Sequence, residues 1–180
     1  IKAALPTIQH AIKQQSAIIL LSHLGRPTEG QFDEQYSLRP VARRLEELLG
    51  QTVRFMEYGW LDKSLPCNSG QVVLCENVRF LEGEKENNAY LAKRLAQLCD
   101  VFVMDAFATA HRAHASTEGV AKYASIACAG PLLIREIEAI EQVMKNSKRP
   151  LIGIVGGSKV STKLEILKSL IDSVDQLMLG

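Results

Sequence analysis

The sequence has no apolar run approaching the ~18 residues of a membrane span, and it does not open on the basic-then-apolar pattern of a secretory leader. Charge of one sign is missing too: 21 basic and 20 acidic side chains leave a formal net charge of +1. That balance argues against bulk attraction to nucleic acid or to a membrane surface. An anion held by this chain must therefore be held by a few placed cations. Cysteine is scarce: Cys67, Cys75, Cys99 and Cys128 show neither Cys-x-x-Cys pairing nor a histidine at metal-ligand spacing. No disulfide framework and no metal ligand is assigned, and the thiols are expected to be reduced, mostly buried packing residues of a cytoplasmic protein. Neither the Walker A sequence nor the Gly-x-Gly-x-x-Gly dinucleotide fingerprint occurs.

What is present is ample apolar material, 47% of residues, arranged in alternating strand and helix patterns. Short β-branched runs at 17–21, 52–56, 72–75, 101–104, 151–155 and 176–179 read as strands. Helical patterns through 11–13, over 38–49, 89–98, 132–145 and 161–171 separate most of them. Ser37 is expected to cap the second helix and Gly50 to end it, and Ser116 to cap a short helix through Val120. Such alternation predicts an α/β fold, a three-layer αβα parallel sheet of the Rossmann-like kind. A fresh strand after Pro150 predicts the first βα unit of a second, similar domain. The expected division is 1–131, a connecting helix over 132–148, and 149–180. Both ends read as cut, because Ile1 opens inside a helical pattern and Gly180 follows a strand directly.

Charged and small residues collect where the strands end. After Leu21 comes Ser22-His23-Leu24-Gly25-Arg26-Pro27, and after Cys75 comes Glu76-Asn77-Val78-Arg79-Phe80. After Met104, read as the end of a buried strand, comes a turn with Arg112 between His111 and His114. In an open parallel sheet, ligands sit in the crevice beyond the carboxyl ends of the strands. If the strands are parallel neighbours, His23, Arg26, Arg79 and Arg112 converge there, and the arginine fork suits phosphate or carboxylate. After Val155, the pair Gly156-Gly157 would let backbone N–H groups approach a phosphate at a helix start. Lys159 and Lys163, four apart, would share one helix face and could follow a polyphosphate.

Other conspicuous residues read as structural. His10 belongs on a helix surface or in packing, Tyr58 and Trp60 pack under a loop, and the stripe Leu133, Ile137, Ile140 and Met144 belongs to a core. Glu82, Glu84 and Glu86 read as a solvated loop. His111 and His114 read as residues of the turn, behind Arg112.

Taken in order, His23-Leu24-Gly25-Arg26-Pro27, Glu76-Asn77-Val78-Arg79-Phe80, Asp105-Ala-Phe-Ala-Thr-Ala-His-Arg-Ala-His114 and Gly156-Gly-Ser-Lys-Val-Ser-Thr-Lys163 resemble phosphoglycerate kinases of the bacterial type. The resemblance runs from Ile1 to Gly180. It implies reversible phosphoryl transfer between 1,3-bisphosphoglycerate and ADP, giving 3-phosphoglycerate and ATP in glycolysis, by a monomer. It assigns His23, Leu24, Gly25, Arg26, Arg79 and Arg112 to the phosphoglycerate, and Gly156, Gly157, Lys159 and Lys163 to the nucleotide. Lys159 matches the catalytic lysine near the moving phosphoryl group. It also implies a strand before Ile1 and a Mg²⁺ ligand after Gly180, so these 180 residues are expected to be inactive alone. Ala108 stands where the family usually has Gly. Two other readings remain: an anion-binding module without catalysis, and a kinase for another small molecule.

Overall fold

Val72–Cys75 places four apolar residues in a row, and such a strand is stable only with cover on both faces. In the computed structural model, which describes residues 1–156 and 164–180, every residue from Val72 to Phe80 is buried. This strand is the third in the chain, after β1 (Ile18–Leu20) and β2 (Val53–Met56). It lies between them in parallel register, Ile18 opposite Val72 on one side and Val53 opposite Val72 on the other.

The two faces of β3 anchor two hydrophobic clusters. Val72 and Leu74 meet Ile8 of α1 (Leu5–Lys13) and Ala42 and Leu45 of α2 (Arg39–Leu49). Val73 and Cys75 meet Trp60, then Leu91, Ala92 and Leu95 of α3 (Ala89–Ala96) and Val120 of α4 (Val120–Tyr123). Helices on both faces of a parallel sheet make the expected αβα layering. Trp60, read as local packing, is 1% exposed and belongs to this second cluster.

The strand β4 (Val101–Met104) pairs in parallel with β5 (Ile126–Ala129), a strand the sequence pattern did not reveal. β4 was expected to be buried, yet Val101 and Val103 are exposed. Alternation explains it: Phe102 packs against the second cluster, so its two neighbours point to the opposite face. Cys128 on β5 is likewise exposed, and Cys67 and Cys99 are half-buried, so only Cys75 is the fully buried thiol expected. Burial pushes that thiol up to about 12, which leaves it unreactive.

Two helix starts depart from the sequence expectation. Ser37 does accept from the Arg39 N–H (3.2 Å), but the stronger cap on α2 is remote. The Glu76 carboxylate accepts from the Leu38 N–H (2.7 Å) and the Ser37 hydroxyl (2.6 Å). Ser116 lies inside a π-helical turn, Ala115–Gly119, which runs into α4 rather than starting it.

These elements form one compact unit, Ile1–Ile134; Arg135–Gly180 form another. The second contains the parallel pair β6 (Ile152–Val155) and β7 (Gln176–Leu179), with α6 (Leu164–Ile171) preceding β7. The helix α5 (Pro131–Asn146) leads from one unit into the other. Of its stripe only Leu133 is buried, whereas Ile137, Ile140 and Met144 are exposed, against the core placement expected. Their spacing makes them share a face without saying what lies on it.

The start of α5 is fixed by Asp105, which follows β4. Its carboxylate accepts from Leu132 N–H (2.7 Å), Leu133 N–H (3.0 Å) and the Thr7 hydroxyl (2.5 Å). A Cβ on Gly130 would lie 2.3 Å from Asp105 Oδ1 and 2.7 Å from its Cβ. Side-chain rotation cannot relieve the second contact. Gly130→Ala is therefore expected to cost roughly 2–4 kcal/mol, combining overpacking with a weakened helix cap, read as a lowered denaturant midpoint. An unchanged midpoint would show that the Asp105 junction yields.

Candidate anion-binding site

The loops beyond β1, β3 and β4 meet in one region of the first unit; hydrogen bonds from the β3 end hold the loop after β1 there, and Glu84 ties in the turn after β4. Asn77, fully buried, donates from Nδ2 to the carbonyls of Leu24 (2.8 Å) and Tyr36 (2.9 Å) and accepts from Arg79 N–H (3.1 Å). Val78 N–H donates to Ser22 O, and Gly30 N–H to Phe80 O. Glu76 gives its carbonyl to Trp60 Nε1 (3.1 Å) while its carboxylate caps α2. The Phe80 ring packs against Phe32 and Tyr58, with centroids 5.5 and 5.9 Å away, and the Tyr58 hydroxyl donates to Gly30 O (2.7 Å). Tyr58 thus packs against this loop but stays exposed instead of lying under it as expected.

Gly25 has φ +62°, and a Cβ there would sit 2.2 Å from the Tyr36 ring. Only glycine meets both conditions. Its carbonyl accepts from Arg79 Nη1. Leu24 contributes its carbonyl to Asn77, while its side chain is exposed. Ala108 lies in the 3₁₀ turn Phe107–Thr109 and has no positive φ, so Ala fits there without backbone strain.

The four side chains named at the strand ends are brought together, and His114 joins them. The His23 imidazole is lowered from its ordinary 6.5 to about 4, by burial first and then by the charges of Arg79, Arg112 and His114. Arg79, 8% exposed, is lowered by burial and by Arg112, with Glu84 opposing and Arg26 adding to the effect. His114 is lowered by burial, Arg79 and Arg112, with Glu29 opposing. Mutual depression of this kind reflects positive charge gathered around partly buried groups; Arg79 is buried, His23, Arg112 and His114 are half-buried, and Arg26 is exposed. Arg79 spends one N–H on Gly25, and its Nε has no hydrogen-bond partner among the described residues. Such a crevice is chemically suited to a small, multiply charged anion. His111 is exposed in the turn.

Glu84 overturns its reading as part of a solvated loop: it is 1% exposed. Its carboxylate accepts from the Ser116 hydroxyl (2.5 Å) and N–H (3.0 Å) and lies 3.8 Å from His114 Nδ1. An isolated acidic run gave no sign of this. The nearest hint in the sequence is the neighbouring Gly83, which takes φ +83°. Among the described residues no group of three or more His, Cys, Asp or Glu is placed to hold a metal ion. In the second unit Gly156 follows β6 as expected, whereas Gly157, Lys159 and Lys163 lie outside the described residues.

The His23 shift has a signed consequence for stability. The folded chain resists protonating His23 down to about pH 4, while the unfolded chain takes that proton near 6.5. The unfolded state binds more protons in between, so this stability is complete above the upper value and lost as pH falls. His114 acts in the same direction, and Glu84, raised by burial, acts in the opposite one. His23→Gln is expected to flatten the fall in the unfolding midpoint between about pH 6.5 and pH 4.5. An unaltered pH dependence would remove His23 from the cluster.

Comparison with known proteins gives a consistent result. The family model for phosphoglycerate kinase matches residues 1–180. Similar curated proteins include the phosphoglycerate kinases of Coxiella burnetii, 59% identical over 177 residues, and of Francisella tularensis subsp. novicida, 56% identical over 180. These alignments cover 98% and 100% of this chain and 45% of each relative. Among solved structures, the Coxiella burnetii phosphoglycerate kinase aligns with TM-score 0.86 at 58% identity, covering 98% of this chain and 45% of that one. The enzyme from Pyrococcus horikoshii OT3 aligns with TM-score 0.83 at 31% identity, covering 99% and 46%. The chain thus spans a little under half the length of the curated relatives it matches. With its whole length matched by the family model and the same fold in two solved members, this chain belongs to the phosphoglycerate kinase family.

Proposed function

We propose that the complete polypeptide carrying this sequence transfers a phosphoryl group reversibly between 1,3-bisphosphoglycerate and ADP, yielding 3-phosphoglycerate and ATP in glycolysis. The observation that carries this reading is the convergence of His23, Arg26, Arg79 and Arg112 from three strand-end loops. In this reading residues 1–131 bind the phosphoglycerate, 132–148 connect, and 149–180 begin the nucleotide-binding part. The protein works as a monomer in the cytoplasm.

The side chains of His23, Arg26, Arg79 and Arg112 grip the phosphate that is not transferred, with Leu24 and Gly25 shaping the loop beneath it. Gripping the remote phosphate fixes the position of the reacting end, the main task in a loose phosphoryl-transfer transition state. Lys159 stabilises charge on the moving group, and Gly156, Gly157 and Lys163 hold the nucleotide phosphates. Mg²⁺ neutralises phosphate charge in this chemistry. Its ligand is expected after Gly180, as the resemblance to the family implies.

Arg26→Ala tests the pocket. Losing one charge-assisted contact worth about 1.5–3 kcal/mol should lower kcat/KM for 3-phosphoglycerate roughly 10–150-fold, leaving the KM for ATP little changed. Full activity in the variant would overturn the pocket assignment. A wild-type polypeptide that binds 3-phosphoglycerate without transferring phosphate would instead favour an anion-binding module. Preference for an unrelated sugar phosphate would favour another kinase.

A further inference from the structure

The cations of the crevice come from loops far apart in sequence, and each repels the others. Something of opposite sign must hold them in place while the crevice awaits its ligand. Two carboxylates of this region oppose the cations, Glu29 and Glu84. Glu29, on the loop after β1, accepts from Gly83 N–H (2.9 Å) and Lys85 N–H (3.0 Å) and sits 3.8 Å from Lys85 Nζ. It is thereby committed to the backbone on either side of Glu84.

Glu84 is the residue so presented. Its carbonyl accepts from Ala115 N–H (2.9 Å) and its carboxylate takes both donors of Ser116. One chain of contacts therefore runs from the loop of His23 and Arg26, through Glu29 and Gly83–Lys85, to the turn carrying Arg112 and His114. The Glu84 carboxylate stands 3.8 Å from His114 Nδ1, and its negative charge is also felt by the buried Arg79. A buried carboxylate with two hydrogen bonds retains most of its field, because little water screens it.

We propose that Glu84 is a positioning residue of the anion site, a buried carboxylate that holds Arg79 in place against Arg112 and Arg26 and faces the His114 imidazole. Backbone and hydroxyl bonds to Ser116 fix where the carboxylate sits; its charge attracts the Arg79 guanidinium, and it lies 3.8 Å from His114 Nδ1. It touches no substrate. The proposal rests on the reading of this crevice as the phosphoglycerate site.

The test compares Glu84→Gln with Ser116→Ala in the complete polypeptide. The first keeps the shape and hydrogen-bond acceptance of the side chain and removes its charge, while the second loosens the tether and keeps the charge. Glu84→Gln is expected to raise the KM for 3-phosphoglycerate at least fivefold, with kcat and the KM for ATP within twofold. NMR of the unliganded variant should find His114 titrating at lower pH than in the wild type, because a neighbouring negative charge is gone. Ser116→Ala, which keeps the charge and the backbone N–H bond, should raise that KM by less than Glu84→Gln does. An unmoved His114 titration, or a Ser116→Ala effect equal to that of Glu84→Gln, would overturn the proposal and reduce Glu84 to a loop tether. Should the wild type show no dependence on 3-phosphoglycerate, the proposed function fails, and the His114 titration still decides the role of Glu84.

Discussion

Positive charges gathered into one poorly hydrated crevice repel one another, and the first unit is organised to sustain that repulsion. The cost is visible in His23, driven to about 4 by burial and by Arg79, Arg112 and His114. The means of sustaining it begin at the end of β3, the strand buried on both faces. Glu76 and Asn77 follow it directly and are themselves buried. Glu76 fixes the start of α2, and Asn77 holds the loop after β1 by two carbonyls. A rigid central strand thus becomes a rigid anchor for mobile-looking sequence, and the cations ride on that anchor. Glu84 adds the compensating charge from the other side.

This arrangement separates two tasks that the motifs blend. In Glu76-Asn77-Val78-Arg79-Phe80, one residue joins the charged cluster and the others build. Glu76 and Asn77 satisfy backbone groups, while Val78 and Phe80 join the packing on either side. Gly25 is similar: φ +62° against the Tyr36 ring leaves no room for a side chain, and its carbonyl steadies Arg79. Preorganised cations need little rearrangement on meeting an anion.

Much of this was legible in the sequence. Apolar runs ending in charged, glycine-containing loops marked the strands, their parallel arrangement and the crevice beyond them. Placement of Arg26, Arg79 and Arg112 followed from those strand ends. Partner-dependent features were not legible. Glu84 reads like its neighbours Glu82 and Glu86 until Ser116, 32 residues later, is known to lie against it. Val101 and Val103 read like the buried residues of β3, because composition cannot say that cover exists on one face only. The exposed stripe of α5 failed for the same reason. β5 was missed because Ile126-Ala127-Cys128-Ala129 has little β-branched character, and pairing with β4 overrides that weak propensity.

We propose that this arginine-rich crevice, only partly offset by Glu29 and Glu84, takes a phosphorylated ligand. The most direct measurement is the titration of the His23 imidazole by NMR in the complete polypeptide, with and without saturating 3-phosphoglycerate. Without ligand His23 should titrate near 4. With ligand its pKa should rise by about one unit or more, because an anion offsets the charges of Arg79 and Arg112. A His23 that titrates normally without ligand, or that does not move when 3-phosphoglycerate binds, would contradict the claim.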